Sequence, residues 1–508
     1  MWFLIRVALA VVTSFVSLSY GSQSVLSAGD HHIPQACNAI ELAINGDVYH
    51  RRTSEYNDQQ KDYWLLQQAK DYSPHCRVTP RDAKDVSIAL KLFGKHQTPF
   101  AVKSGGHSFL SGASNINNGI TLDLSRLNSI KLSEDKQSVR LGPGATWKEV
   151  YQVLEPLGLT ALGARAGSVG VGGFILGGGS TWLSNRHGWA VDSVLEFEVV
   201  VYGKIKTASS TENPDLFWAL KGGGSNFGIV TAIAMATHPL GDLYVYGQSC
   251  PQESVPQGLK ALQSFTDAGS NDTGSSAIMG VMFTPGQEEL AAAITVVNID
   301  NDLNAEGLKY FTDIPQFHAD NFTIKLTELS DQMSQYADRE YRKIKFSITV
   351  HNNATLLGHL FEELENLVRD HDLDDMLALG TSFQPLTRSH ISNRNNALGL
   401  SHVTSGLMLV SFEIYWSDAA NSTYFEKLSR NLHDKLCARA SEKQMLHRFT
   451  YLNYAASWQE PFSGYGTESL CKLKDIQKQL QRDEDPMGLF YGLMKVGKML
   501  PHDDEVCG

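Results

Sequence analysis

Between Gly163 and Gly228, 14 of 66 residues are glycine. A soluble chain carries glycine at that density where backbone must approach something closely or adopt positive φ. Two clusters hold most of it, Gly167 to Gly179 and Gly222 to Gly228, and a third, Ser104-Gly105-Gly106-His107-Ser108, comes earlier. Such loops can point bare N–H groups at a phosphate. The dinucleotide fingerprint GxGxxG and the P-loop pattern are absent, as are GxSxG and HExxH, which removes the commonest hydrolase and metalloprotease readings. Composition alone leaves two possibilities open: a large, extended, phosphate-bearing ligand, or a sheet with many tight turns.

A chain of 508 residues exceeds what one core usually supports, so two or more lobes are expected. A net charge of -12 argues against a nucleic-acid partner or an anionic membrane surface. Residues 1–21 read as a secretory signal: Arg6 supplies charge, Val7 to Ser19 a short apolar stretch, and Ser17, Ser19 and Gly21 small residues for cleavage. No other window approaches a membrane span. The expected location is outside the cell, in the secretory pathway or in a vacuolar lumen. There the six cysteines would form disulfides, since none lies in a CxxC pair of the kind zinc sites use. Sequons at Asn271, Asn321, Asn353 and Asn421 are compatible with a glycoprotein.

Residues 22–70 read as a polar, helical lead-in. From 71 to 241 strands and helices alternate, including a helix over Arg81 to Gly94, strands at Phe100 to Val102, Ile120 to Leu124 and Ser138 to Leu141, and a helix over Trp147 to Leu157 closed by Gly158. Residues 242–445 differ. There Ile344, Phe346, Ile348 and Val350 alternate with polar residues, and Ser411, Glu413 and Tyr415 form the polar side of Val410 to Trp416. A period of two with one wet face predicts an antiparallel sheet backed by helices, which fit Thr355 to Arg369 and Tyr424 to Ala440. The tail, 446–508, is aromatic and then helical over Leu470 to Gln481.

His107 is the sharpest single candidate, because it follows a glycine pair on a loop after a strand and can stand beside a ligand. Tyr451-Leu452-Asn453-Tyr454 is the second: two phenols and an amide that can position a substrate hydroxyl.

Phe100 to Ser108 resembles the flavin-attachment loop of FAD-linked oxidoreductases of the vanillyl-alcohol oxidase superfamily, in particular secreted fungal berberine-bridge-enzyme-like members. Gly167 to Gly173 with Leu176 to Gly179 resembles the second FAD loop, and Asn213 to Gly224 with Asn226-Phe227-Gly228 the third. Tyr451 to Tyr454 and Asp485 to Phe490 resemble the C-terminal elements. The match is strong over about 71–240 and 446–495 and weak between them.

The resemblance implies an α+β, two-lobed PCMH-type fold. Residues 71–241 form the FAD domain, 446–508 complete it, and the antiparallel sheet of 242–445 roofs the flavin. His107 would carry an 8α-histidyl bond. Lys103, Ser104, Gly105, Gly106, Ser108, Ser168, Val169, Gly170, Gly172, Gly173, Gly228 and Asn453 would bind FAD, and Cys37 and Cys76 would pair. Ser411, Glu413, Tyr415 and His351 are expected to line the substrate cavity, with no metal. Two positions depart from the family. Ala166 stands where many relatives have a second tethering cysteine, so one covalent link and a less open site are expected. Ser411 aligns with the glutamate base of plant alkaloid relatives, with Glu413 two residues on as a second catalytic candidate, which leaves Tyr454 as the expected base.

The implied activity is oxidation of an alcohol or activated C–H in a small secondary metabolite, hydride passing to flavin N5 and then electrons to dioxygen. A carbohydrate oxidase is the alternative, and a flavin-containing cyclase or binding protein without net redox the third. An oxidase is expected over a dehydrogenase, and a monomer over an oligomer.

Overall fold

The computed structural model describes residues 32–507 except 270, 286–290, 336–338, 371–374, 486–487, 489–491, 495–496 and 502–506. The expected signal segment and much of the Asp485 to Phe490 element lie outside the described residues.

The first lobe begins with a small sheet. Strands Cys76–Thr79 and Phe100–Lys103 flank Ile120–Asp123 in parallel, and the crossover helix is Ala83–Lys95. Asp82 caps that helix by accepting from the N–H groups of Lys84 and Asp85, and Val86, Ala89, Leu90 and Phe93 are buried against the sheet. The lead-in is not only helical: Asp47–His50 pairs antiparallel with Cys76–Thr79 as an edge strand. Cys37 and Cys76 are bonded, with their Cα atoms 6.3 Å apart, which pins the helix His32–Ala43 to the same strand. Next comes a five-stranded antiparallel sheet, ordered 130–132, 138–141, 229–236, 194–201, 204–209. Its helix Trp147–Leu154 starts in a capping box between Thr146 and Glu149. A tight turn over Glu155–Leu157 then ends at Gly158, whose φ of 68° favours glycine.

The second lobe is an eight-stranded antiparallel sheet, ordered 318–324, 243–251, 291–298, 275–283, 376–386, 407–416, 342–351, 446–447. Helices Val255–Ala268 and Ser422–Glu442 contact it, and Ala354–Asp370 packs between those two helices. Phe346, Ile348, Val350, Val410, Phe412 and Ile414 join that core. The alternation is as expected, but the second face is not wet. Lys343 is 1 % exposed, Lys345 7 %, Ser347 0 % and Ser411 2 %, because this face lies over the first lobe.

The tail returns to the glycine-rich lobe. Phe449, Tyr451, Phe462, Tyr465, Leu470 and Leu473 share one core with Trp147 and Trp189. Cys471 pairs with Cys507 across the start of the final helix Thr467–Asp483. Cys250 and Cys437 are free. Among the described residues no helix is long and apolar enough to cross a membrane, and no group of three or more His, Cys, Asp or Glu could hold a metal.

Candidate active site

The glycine loops and the polar sheet face enclose a cavity of about 710 Å³. One wall is almost bare backbone. Gly105 and Gly170 approach so closely that a Cβ on either would stand 2.5 Å from the other's backbone, so the first two loops are fused at a point where only glycine fits. A Cβ on Gly173 would meet nothing within 4 Å. Ser104, Ser108, Val169, Gly172, Gly228 and Asn453 also line the cavity, and Asn453 Nδ2 donates to the Phe174 carbonyl at 3.1 Å. Three expected cofactor residues do not line it. Lys103 is turned into a buried ion network with Asp62 at 3.1 Å and Asp123 at 3.3 Å. Gly106 sits behind the loop, its carbonyl accepting from Trp64 N–H at 3.1 Å. Ser168 touches His107 instead.

His107 is half-buried in the wall. Its Nε2 is hydrogen-bonded with Ser168 Oγ at 3.1 Å, and its ring stacks on Trp64, centroids 4.7 Å apart and planes 16° apart. Burial, reinforced by the charges of Lys343, Arg339 and Lys345, pushes the ring down to about 3. His187 and His447 are held down to about 4, again by burial first and then by a neighbouring histidine. In the unfolded chain such rings protonate below about 6.5, so the unfolded state takes up protons first as pH falls. The melting temperature should therefore be flat between about pH 7 and 8 and fall steadily from about 6.5 to 4. A melting temperature unchanged over that acid range would contradict these buried, neutral rings.

The short turn after Tyr451 and the sheet face carry the reactive side chains. Tyr454 lines the cavity from the short turn Leu452–Tyr454, its ring edge-on to Tyr451. Arg165, half-buried and close enough for its charge to act on Tyr454, donates to Gln384 Oε1 at 2.9 Å and Ser180 Oγ at 3.3 Å. The Lys345 ammonium lies 3.9 Å from the Tyr454 ring centroid and is ion-paired with Glu413. Tyr415 O–H donates to the other Glu413 oxygen at 2.5 Å. Burial opposes the Glu413 charge, but Lys345 and Tyr415 outweigh it and hold the carboxyl below the usual range. Gln384 Nε2 donates to Ser382 Oγ at 2.9 Å, and Ser382 and Ser411 hydroxyls are bonded at 2.8 Å. Ser411, Glu413 and Tyr415 therefore line the cavity as expected. His351 does not: it is exposed at the far end of its strand, its ring against His447.

Sequence reasoning passed over Trp64, Arg165 and Lys345. Arg165 adjoins the second glycine loop, a signal that was available. Lys345 sits on the alternating strand and reads as solvated until the covering lobe is known.

The site fits FAD chemically. Two fused glycine loops offer backbone to a flat, extended dinucleotide, a neutral imidazole lines the same cavity, and a cationic polar face closes it. A family model described as an FAD binding domain matches residues 74–208. An FAD-dependent monooxygenase of Cochliobolus heterostrophus is 30% identical over 95% of this chain and 97% of its own length. Among solved structures, the BBE-like 1 protein of Physcomitrella patens superposes with TM-score 0.75 at 16% identity, covering 92% of this chain and 99% of that one. A carbohydrate oxidase of Microdochium nivale superposes with TM-score 0.73 at 20% identity, covering 91% and 100%. At those identities the two structures establish the two-lobed α+β fold.

Proposed function

Because the chain belongs to the FAD-linked oxidoreductases of the vanillyl-alcohol oxidase superfamily, we propose that it oxidises a small secondary metabolite at an FAD bonded to His107. The observation that carries this reading is one cavity lined by glycine loops, a neutral imidazole and a phenol flanked by two cations. When bound, FAD supplies the two-electron acceptor and hands electrons on to dioxygen.

The chain does the rest. Ser168 occupies His107 Nε2, which leaves Nδ1 as the attachment nitrogen. Tyr454 accepts the substrate proton at its phenol oxygen. A free phenol has a pKa near 10, and only its phenolate can take up a proton. The cations of Arg165 and Lys345 stand beside that phenol. Glu413, already paired twice, orients Lys345 and is a poor proton acceptor itself. Apolar Phe109, Ile278, Met282 and Met333 with the polar row Ser382, Gln384 and Ser411 suit a mostly apolar molecule bearing a few oxygens.

Secretion and glycosylation belong to the same reading. They are supported by the two disulfides and by exposed Asn271 and Asn321. A monomer acting on substrate and dioxygen, without nucleic acid, completes it.

The test is acid precipitation of the purified protein. Flavin absorbance should stay in the pellet, with flavin mass on the peptide containing His107. A yellow supernatant over a colourless pellet removes the bond, and no flavin in either fraction removes the reading. Without air, substrate should then bleach the flavin band. Bleaching by sugars alone would favour a carbohydrate oxidase, and turnover without bleaching a cyclase. Peroxide equal to the oxygen consumed marks an oxidase. Labelled oxygen in the product marks the monooxygenase chemistry for which the Cochliobolus relative is named.

A further inference from the structure

Trp64 belongs to the lead-in, far in sequence from every glycine loop, yet it is 5 % exposed and stacked on the attachment histidine. Its backbone N–H donates to the Gly106 carbonyl at 3.1 Å, so main chain and ring both grip the loop that carries His107. The ring of Phe109 packs edge-on against the indole, centroids 4.3 Å apart. The Lys343 ammonium lies 3.5 Å from the indole centroid. The segment is also anchored to the second lobe, since Gln67 Nε2 donates to the Lys343 carbonyl at 2.9 Å and Arg342 makes two bonds to Asp71 at 2.7 and 2.8 Å.

An imidazole on a loop normally rotates freely about its last torsion. Here Ser168 fixes one ring atom and the indole fixes the ring plane, so the remaining nitrogen has one direction to face. We propose that Trp64 is a positioning residue for covalent flavin attachment: its indole holds the His107 imidazole in the orientation from which the C–N bond forms. This rests on the reading of His107 as the attachment site. Attachment forms one C–N bond and breaks one C–H of the 8α-methyl and one ring N–H. The two protons and the C–H electron pair go to dioxygen, which leaves as hydrogen peroxide. Because the reacting pair must meet in a near-attack geometry, losing the plane restraint slows the step by about 10- to 100-fold.

The experiment compares Trp64→Leu, which keeps an apolar filler without a π-face, with Trp64→Phe, which keeps a ring. Each protein, made flavin-free, is mixed with FAD in air. Bound flavin is read by absorbance after gel filtration, attached flavin in the acid pellet over time, and folding by melting temperature. Trp64→Leu should bind FAD but attach it at least tenfold more slowly, and Trp64→Phe should attach it within threefold of wild type. Wild-type attachment kinetics in a folded Trp64→Leu overturn the proposal. Should Trp64→Leu fail to fold, Trp64→Met, another apolar filler without a π-face, takes its place and is read by the same two outcomes. If the wild-type protein itself leaves all flavin in the supernatant, the His107 reading fails, and that result is distinct from a failure of Trp64 alone.

Discussion

Replacing Tyr454 with phenylalanine should cut turnover by about a hundredfold or more while the protein remains yellow and folded. The substitution removes one oxygen and little else. The ring keeps its edge contact with Tyr451, centroids 4.9 Å apart, and its place beside the Lys345 ammonium. Arg165 keeps its bonds to Gln384 and Ser180. What disappears is the proton acceptor. A group that acts in the transition state lowers kcat and kcat/KM together, whereas loss of a substrate contact raises KM alone. Tyr451 cannot take over: its oxygen already accepts from the Ser180 N–H at 3.0 Å and Asn453 Nδ2 at 3.1 Å, and burial raises its pKa well above a free phenol's. The readout is anaerobic flavin reduction by stopped flow. A phenylalanine variant that reduces its flavin within threefold of the wild-type rate would falsify Tyr454 as the base.

What the sequence disclosed divides along a physical line. Local signals were legible: Gly105 and Gly170 read as loops because a bare backbone has few other uses, and Phe346 with Phe412 read as one face of a sheet because strand periodicity is two. What a face touches is not a local property. Lys345 and Lys343 fell on the polar side and looked solvated, yet the first lobe covers both. Asp47–His50 is a four-residue edge strand, too short to carry a pattern, whose pairing with Cys76–Thr79 is fixed by distant chain. Cys471–Cys507 is one of six possible pairs among the last four cysteines and is chosen by packing of the final helix. Trp64 shows the same limit inside the site itself. Nothing near it in sequence marks it, and its contact with His107 exists only once the lead-in wraps the loop. Lys103 shows the converse. It lies within the most legible motif, but its ammonium is held by Asp62 and Asp123 behind the cavity wall.

Substituting His107 by alanine should move all of the flavin from the acid pellet to the supernatant, an all-or-none change. The expectation depends on what surrounds the histidine. Among the described residues no cysteine lines the cavity; Cys250 and Cys437 are free but lie elsewhere, and the other four are paired in disulfides. A thiolate is a nucleophile that could serve in its place, and Ala166 stands in the cavity wall. The double variant His107→Ala, Ala166→Cys should therefore recover colour in the pellet, with flavin mass on the peptide containing residue 166. The two outcomes are independent. A His107→Ala protein whose pellet stays yellow would mean a different residue holds the flavin, and the site would have to be rebuilt around it. A double variant whose pellet stays colourless, beside a His107→Ala protein that releases everything, would leave His107 in place. It would instead show that the second glycine loop carries residue 166 out of reach of the flavin ring, so that the missing thiol reflects the geometry of this cavity and not only its sequence.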